Sequence, residues 1–372
     1  MLRMPPVRRF IDPRPDEGLE KASFLYAALQ NRRRRGAVKV LLKLAALAIG
    51  VCAPFACKST KREVVVYASV DQPFAEPIFR EFEKRSGIKV RAVFDTEETK
   101  STGVLNRLVA EAQRPQADVF WSGDPVRPFL LAKRGLLDPY VSPAAATVPA
   151  QFKSADGLWT GAAARARILL VNTQRVAPSE MPRSIRDLAN PRWKGLGAMA
   201  NPVFGTTTIY VAALFTVWGD DRAKAFLEQV KANETRIASS NGEVRRLVAA
   251  GEVAFGLTDT DDAHEALQDK APVQVVYPDQ DDLGTLVMPN AVVLIRGGPH
   301  PAEARALIDH LVSPEVEKRM TDTTGHIPLR RDAAVAPGTP GPRSFRTMQV
   351  DYARVADEIG KIEPWLRQWA GF

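Results

Sequence analysis

The chain has 372 residues, 45% of them hydrophobic and 25% charged, with a formal net charge of +8. That length exceeds one ordinary core and suits two domains of about 100–200 residues each. The positive excess is local: residues 1–57 hold eleven Lys and Arg against four Asp and Glu, so the rest is nearly neutral and carries no footprint for a phosphate backbone.

The first segment is laid out like an export signal. Arg32 to Arg35, Lys39 and Lys43 precede an apolar run, residues 44–56, that is too short alone to span a bilayer. Pro54-Phe55-Ala56 is a candidate cleavage site, and Cys57 a candidate lipidated cysteine, with residues 58–61 beginning a tether. An uncleaved N-terminal anchor is the alternative, and the long basic part leaves room for a true start nearer Arg32. Cys52 and Cys57 are the only cysteines, so the body holds neither a disulfide nor a cysteine metal site.

From residue 62 the pattern is that of alternating strands and helices. A strand at 63–68 ends in Ser69-Val70-Asp71-Gln72-Pro73 and leads into a helix at 74–86, whose Phe74, Ile78, Phe79 and Phe82 recur at helical spacing before Gly87. A second strand, 88–94, is followed by the loop Asp95-Thr96-Glu97, a helix at 104–113, a third strand at 118–121 ending in Ser122-Gly123-Asp124, and a helix at 125–134. This order implies a parallel sheet with right-handed crossovers. Further on, a strand at 168–172 follows Arg165 and Arg167, which are read as facing opposite sides, so that at most one meets a cleft. A strand at 198–200 precedes Gly205-Thr206-Thr207 and helices at 207–218 and 221–232. A short strand at 235–238, a helix at 243–250 and an apolar strand at 253–257 lead to Thr258-Asp259-Thr260-Asp261-Asp262. Strands at 273–277 and 286–295, helices at 301–311 and 314–321, and a last helix at 350–369 complete the chain. The pattern divides into a leader (1–61), a first lobe (62–166), an inserted second lobe (167–288) and a return to the first lobe (289–372), with crossing strands near 167–172 and 287–295 and a cleft between the lobes.

Asp71, Asp95, Glu97, Asp124, Asp259, Asp261 and Asp262 all follow predicted strands, at the sheet ends where open α/β proteins place ligands. Carboxylates aimed at one cavity repel unless a cation joins them, so a hard metal ion or a ligand ammonium group fits. Helix capping or loop packing is the alternative for each. Gly205-Thr206-Thr207 opens a helix whose free N–H groups favour an anion, and Ser69 and Ser122-Gly123 sit at similar places in the first lobe. One of the two arginines would hold such an anion, unless both pair with nearby acids. Tyr210 and His264 read as core and helix-surface residues, respectively.

With these elements in place, the body resembles the solute-binding proteins of bacterial ABC transporters, the ferric-iron-binding (Fbp-like) type 2 family in particular. The residues that carry the likeness are Val66-Tyr67-Ala68-Ser69, Asp95-Thr96-Glu97, Ala117 through Trp121, Gly135-Leu136-Leu137, Gly161 through Asn172, Asn201-Pro202, Gly205-Thr206-Thr207, Gly251-Glu252, Gly256-Leu257 and Pro289-Asn290, over about residues 63–330. The resemblance implies an α/β periplasmic-binding-protein type 2 fold, with two lobes, an interlobe cleft and two crossover strands. It also implies capture of ferric iron, or a metal–anion pair with a synergistic anion, for delivery to an ABC permease and ATPase. The protein would then lie in the periplasm or be lipid-anchored outside the inner membrane, as a monomer without a catalytic cofactor. Iron-binding relatives use a histidine after the first strand and a tyrosine pair in the second lobe. Here Asp71 stands at the former position and Asp261-Asp262 at the latter, which makes these three the candidate metal ligands and leaves a phosphonate or amine-containing organic solute as the alternative.

Enzymatic readings find little support in the sequence. Asp259-Thr260-Asp261 after a strand resembles the nucleophile loop of haloacid-dehalogenase-type phosphatases, but Asp262-Ala263 lacks the usual continuation. A calcium loop starting at Asp259 fails because His264 stands where glycine is needed. Gly-rich phosphate loops, nucleophile elbows and zinc helix motifs are absent from the sequence. The chain is therefore read as a binding protein, with a tethered interaction or sensory module as a third class.

Overall fold

The computed structural model describes residues 62–95, 102–333, 335 and 344–372. The leader, Cys57, Thr96 and Glu97 lie outside the described residues.

β1 (Glu63–Ala68) pairs in parallel with β2 (Lys89–Phe94) and β3 (Val119–Ser122). The crossovers carry α1 (Gln72–Ser86) and α2 (Thr102–Ala110), and α3 (Val126–Lys133) follows β3. Sequence dictates α1 plainly. Ala75, Ile78, Phe79 and Phe82 are its buried stripe, and Lys84 and Arg85 suit the negative end of the helix dipole. Gly87 then takes the left-handed conformation (φ 69°) and returns its N–H to the Glu83 carbonyl at 2.9 Å.

β5 (Thr160–Asn172) joins the two halves of the sheet, and all thirteen of its residues are buried. Up to Ala166 it pairs antiparallel with β10 (Val287–Ile295), which also pairs with β3 and with β4 (Leu137–Asp138). From Arg167 it pairs with β8 (Phe255–Asp259), and further along with β9 (Val273–Val276). One strand thus changes partners between two consecutive residues. β6 (Gly197–Ala200) lies parallel to β8 and to β7 (Arg236–Ala238), giving the order β2-β1-β3-β10-β5-β8-β6-β7. The strand expected at 168–172 is therefore the end of a longer one. Its first part was hidden because small alanines and two arginines interrupt the apolar run.

The second half carries α4 (Gly205–Trp218), α5 (Asp220–Ala232), α6 (Asn241–Ala249) and α7 (Thr260–Gln268). Gly256 lets α6 seat on β8, since a Cβ there would lie 2.4 Å from Val244 Cγ1. α4 is buried continuously from Thr206 to Phe215: its opening threonines are followed by a largely apolar run with no charged residue. Its outer cover is α10 (Tyr352–Ala370), which lays Val355, Ile362, Leu366 and Trp369 into the same core. α10 also packs on α3, where Lys133 pairs with Asp357. α8 (Pro301–Leu311) and α9 (Pro314–Thr324) complete the other face. No helix among the described residues is long and apolar enough to cross a membrane.

Candidate ligand-binding cleft

A cleft of about 520 Å³ opens between the two halves of the sheet, within the range of small-ligand sites. Ser69, Asp71, Asp95 and Asp124 line it from the first half. Gly205, Thr206, Asp259, Asp261 and Asp262 line it from the second, with Arg165 between them. Ten of the residues singled out from sequence thus meet in one cavity; nine of them lie at or beyond the carboxyl ends of β1, β2, β3, β6 and β8, and Arg165 lies within β5.

The second wall is organised by Arg167, whose side chain is fully buried. One of its Nη atoms donates to Asp259 at 2.8 Å, Thr206 at 3.0 Å and Asn241 at 3.2 Å, and the other to Thr207 at 3.2 Å. Thr206 and Asn241 also donate to Asp259, at 2.6 and 3.1 Å. This ties the end of β8 to the first turns of α4 and α6. Arg167 and Thr207 therefore do not line the cleft but form its foundation, which corrects their assignment as contact residues. The two arginines were expected on opposite faces. Instead both reach Asp259, Arg165 at 3.8 Å, because residues two apart on a strand share a face. Burial would raise the Asp259 pKa, but Arg167 and then Arg165 hold it below the usual carboxylate range.

Asp262 turns inward. Its carboxylate accepts from the Thr258 hydroxyl at 2.6 Å and from the Asp259 backbone N–H at 3.4 Å, bracing the start of α7. Asp261 accepts from Arg165 at 3.2 Å. Burial opposes the Arg165 charge, yet Asp261, Asp259 and Asp71 outweigh it and raise its pKa.

The first wall is simpler. The Gly123 N–H donates to the Ser69 hydroxyl at 2.9 Å, which closes β1 against β3. Asp124 accepts from the backbone N–H groups of Val126 and Arg127, at 2.9 and 3.1 Å, and pairs with the Arg127 guanidinium. It is at once a helix cap and a cleft residue. Ser122 and Gly123 do not line the cleft; Ser122 is fully buried. Asp71 precedes α1 without a side-chain capping bond.

Four residues escaped the sequence reading. Ser240 and Asn241 line the cleft at the start of α6, where Ser240 caps the Glu243 N–H. A Ser-Ser-Asn-Gly run between a strand and a helix carried that signal. Phe204 lines the mouth and supplies no side-chain cap, so the first turn of α4 opens on the cleft, a place that favours an anion. His326, 2% exposed, packs edge-on against the cleft residue Phe74. Burial, then Arg165, lowers its pKa to about 3. Thr324 donates its one hydroxyl proton to the Met320 carbonyl, so the neutral imidazole must donate from Nδ1 to Thr324, at 2.6 Å.

Carboxylate oxygens of Asp259, Asp261 and Asp262 lie within 4.8 Å of one another, all of them hard donors suited to a hard cation. No tyrosine lines the cleft among the described residues.

The profile of the bacterial extracellular solute-binding proteins matches residues 115–355. The chain is 28% identical over 279 residues to the Fe(3+)-binding periplasmic protein of Serratia marcescens, covering 73% of this chain and 79% of that protein. It is 25% identical over 302 residues to a Salmonella paratyphi A protein named for binding 2-aminoethylphosphonate in the periplasm, covering 78% and 86%. Iron-bound HitA from Pseudomonas aeruginosa shares the fold with a TM-score of 0.75 at 23% identity, over 82% of this chain and 99% of that one.

Proposed function

The chain belongs to the bacterial extracellular solute-binding proteins, and on that premise we propose that it is the extracytoplasmic receptor of an ABC importer. The cleft captures a small solute that joins a positive centre to an anionic group, the lobes close on it, and a permease reopens them. Residues 62–166 and 289–372 act as the first lobe and 167–288 as the second, except that α10 crosses over to pack on α4 of the second lobe as well as on α3 of the first. Closure bends β5 where its pairing passes from β10 to β8. Residues 1–61 export the protein, and Cys57 anchors it to lipid at the periplasmic face of the inner membrane. The protein works as a monomer and has no catalytic role; turnover of phosphate esters would overturn that.

A metal–anion pair, ferric ion with a synergistic anion, is the first form of such a solute. The observation that carries it is the acidic trio at the start of α7 facing Asp71 across one cleft. Asp261 and Asp262 hold the cation with Asp71, and the first turns of α4 and α6 hold the anion. The cleft volume suits an ion with its anion better than a bare ion. A second reading, an aminophosphonate, is favoured by Arg165 and Arg167, which pair with Asp261 and Asp259 and so lower the negative charge that a bound cation would meet at the trio.

Metal analysis and mass spectrometry of the purified protein test this, followed by melting with ferric citrate and with 2-aminoethylphosphonate. One of the two raises Tm and co-purifies. If neither raises it and nothing co-purifies, the assignment fails.

A further inference from the structure

We infer that Arg165 is a built-in latch, which ties the two walls of the cleft together before any solute arrives by standing where the solute's positive centre will stand. The inference rests on the reading of this cavity as the solute site, and it adds a gate to that site.

The latch is visible in three contacts. The Arg165 backbone belongs to the first half of the sheet, registered against Met288 of β10. One Nη donates to the Gly123 carbonyl at 2.6 Å, also in the first half. The other donates at 3.2 Å to Asp261, which belongs to the second half, and lies 3.8 Å from Asp259. One guanidinium therefore spans the opening, and it is nine-tenths buried, where water screens the attraction little. Gly123 makes the approach possible: a Cβ there would lie 3.2 Å from Nη2 and 3.0 Å from the Ser69 carbonyl oxygen. The Arg165 Nε is buried and makes no hydrogen bond among the described residues. The latched pose thus leaves a donor unused, which an acceptor on the solute can take.

This arrangement sets a condition on the solute. A positive centre that takes Asp261 releases a buried guanidinium, and a solute that offers nothing in return leaves that charge unpaired in a dry site, at a cost. A solute carrying an oxyanion beside its positive centre replaces both halves of the latch in one exchange. Arg165 thereby selects for dipolar solutes and against bare cations, while it biases the empty protein toward a closed form.

The test needs no solute. In the full chain with Cys52→Ser and Cys57→Ser, spin labels are placed at exposed positions, one on each half, through Lys84→Cys and Glu228→Cys, and the label–label distance distribution is measured in buffer. The expected result is a narrow component with the native Arg165 that broadens and shifts when Arg165→Ala is added. Asp261→Asn, nearly the same shape and unable to hold the charge, gives the same shift and guards against an unfolded Arg165→Ala. Arg165→Lys, long enough for one partner only, falls between. An unchanged distribution in both Arg165→Ala and Asp261→Asn overturns the latch, as does a native distribution that is already broad. Because no solute is present, a failure of ferric citrate and 2-aminoethylphosphonate to bind removes the proposed ligand classes and leaves this result standing.

Discussion

The two walls of the cleft are built differently. The second is a closed network around one buried guanidinium: Arg167 fastens β8, α4 and α6 through Asp259, Thr206, Thr207 and Asn241. The first is a row of strand-end turns, where Ser69 meets Gly123 and Asp124 holds the start of α3. The second wall therefore presents a fixed arrangement of charge and helix termini, whereas the first offers groups that act one at a time. The contrast is sharpest at Arg167. Arg167→Ala strands Asp259 and unties three elements, so it should cost about 3–5 kcal/mol of stability, the usual cost of breaking a buried ion pair, and abolish binding as well. Urea unfolding measures it. A loss below about 1 kcal/mol would mean that the network does not organise the wall.

Next comes the face the network supports. Asp261→Ala with Asp262→Ala should weaken solute binding at least ~100-fold, about 2.7 kcal/mol, yet leave the cooperative unfolding transition intact. Asp261 faces the cleft and Arg165, and Asp262 lines the cleft while bracing the start of α7. Titration calorimetry with whichever solute raises Tm reads the affinity. Unchanged affinity would move the site away from α7 altogether.

The strands and helices of this cleft were legible in the sequence wherever one period dominated. α1 was readable from Phe74, Ile78, Phe79 and Phe82, and the acids at strand ends led to the cavity. What escaped was tertiary. That Arg167 lies under the wall while Arg165 faces the opening depends on depth along a shared face, which alternation does not encode. That β5 begins at Thr160 depends on two sheets meeting along it, so both of its faces are covered and a polar residue survives only when paired. His326 gave no signal at all, since its meaning comes from Thr324 and Phe74 folding over it.

His326 tests the seam behind the first wall. An unfolded imidazole titrates near 6.5, and the folded one at about 3. As pH falls below about 6.5 the unfolded chain gains a proton that the folded chain refuses, so stability drops across that window, by about 2 kcal/mol at pH 5. His326→Asn, which keeps a donor for Thr324, should flatten that part of the pH profile. Denaturation at pH 7 and pH 5 compares the two. Equal slopes would mean that the ring is reached by water and charges freely.

The smallest effect belongs to Asp124, and it separates the two walls most finely. The carboxylate lines the cleft, but its oxygens already serve Val126, Arg127 and the Arg127 guanidinium. Asp124→Asn keeps an acceptor for the N–H groups and gives up the charge opposite Arg127. The expected loss is about 1 kcal/mol of stability, with solute affinity unchanged within about twofold. Were affinity to fall tenfold instead, Asp124 would be a solute ligand, and the first wall would bind through its caps rather than beside them. Affinity that holds while stability drops means that first-wall recognition rests on Ser69, Asp71 and Asp95, and that Asp124 only keeps α3 in place behind them.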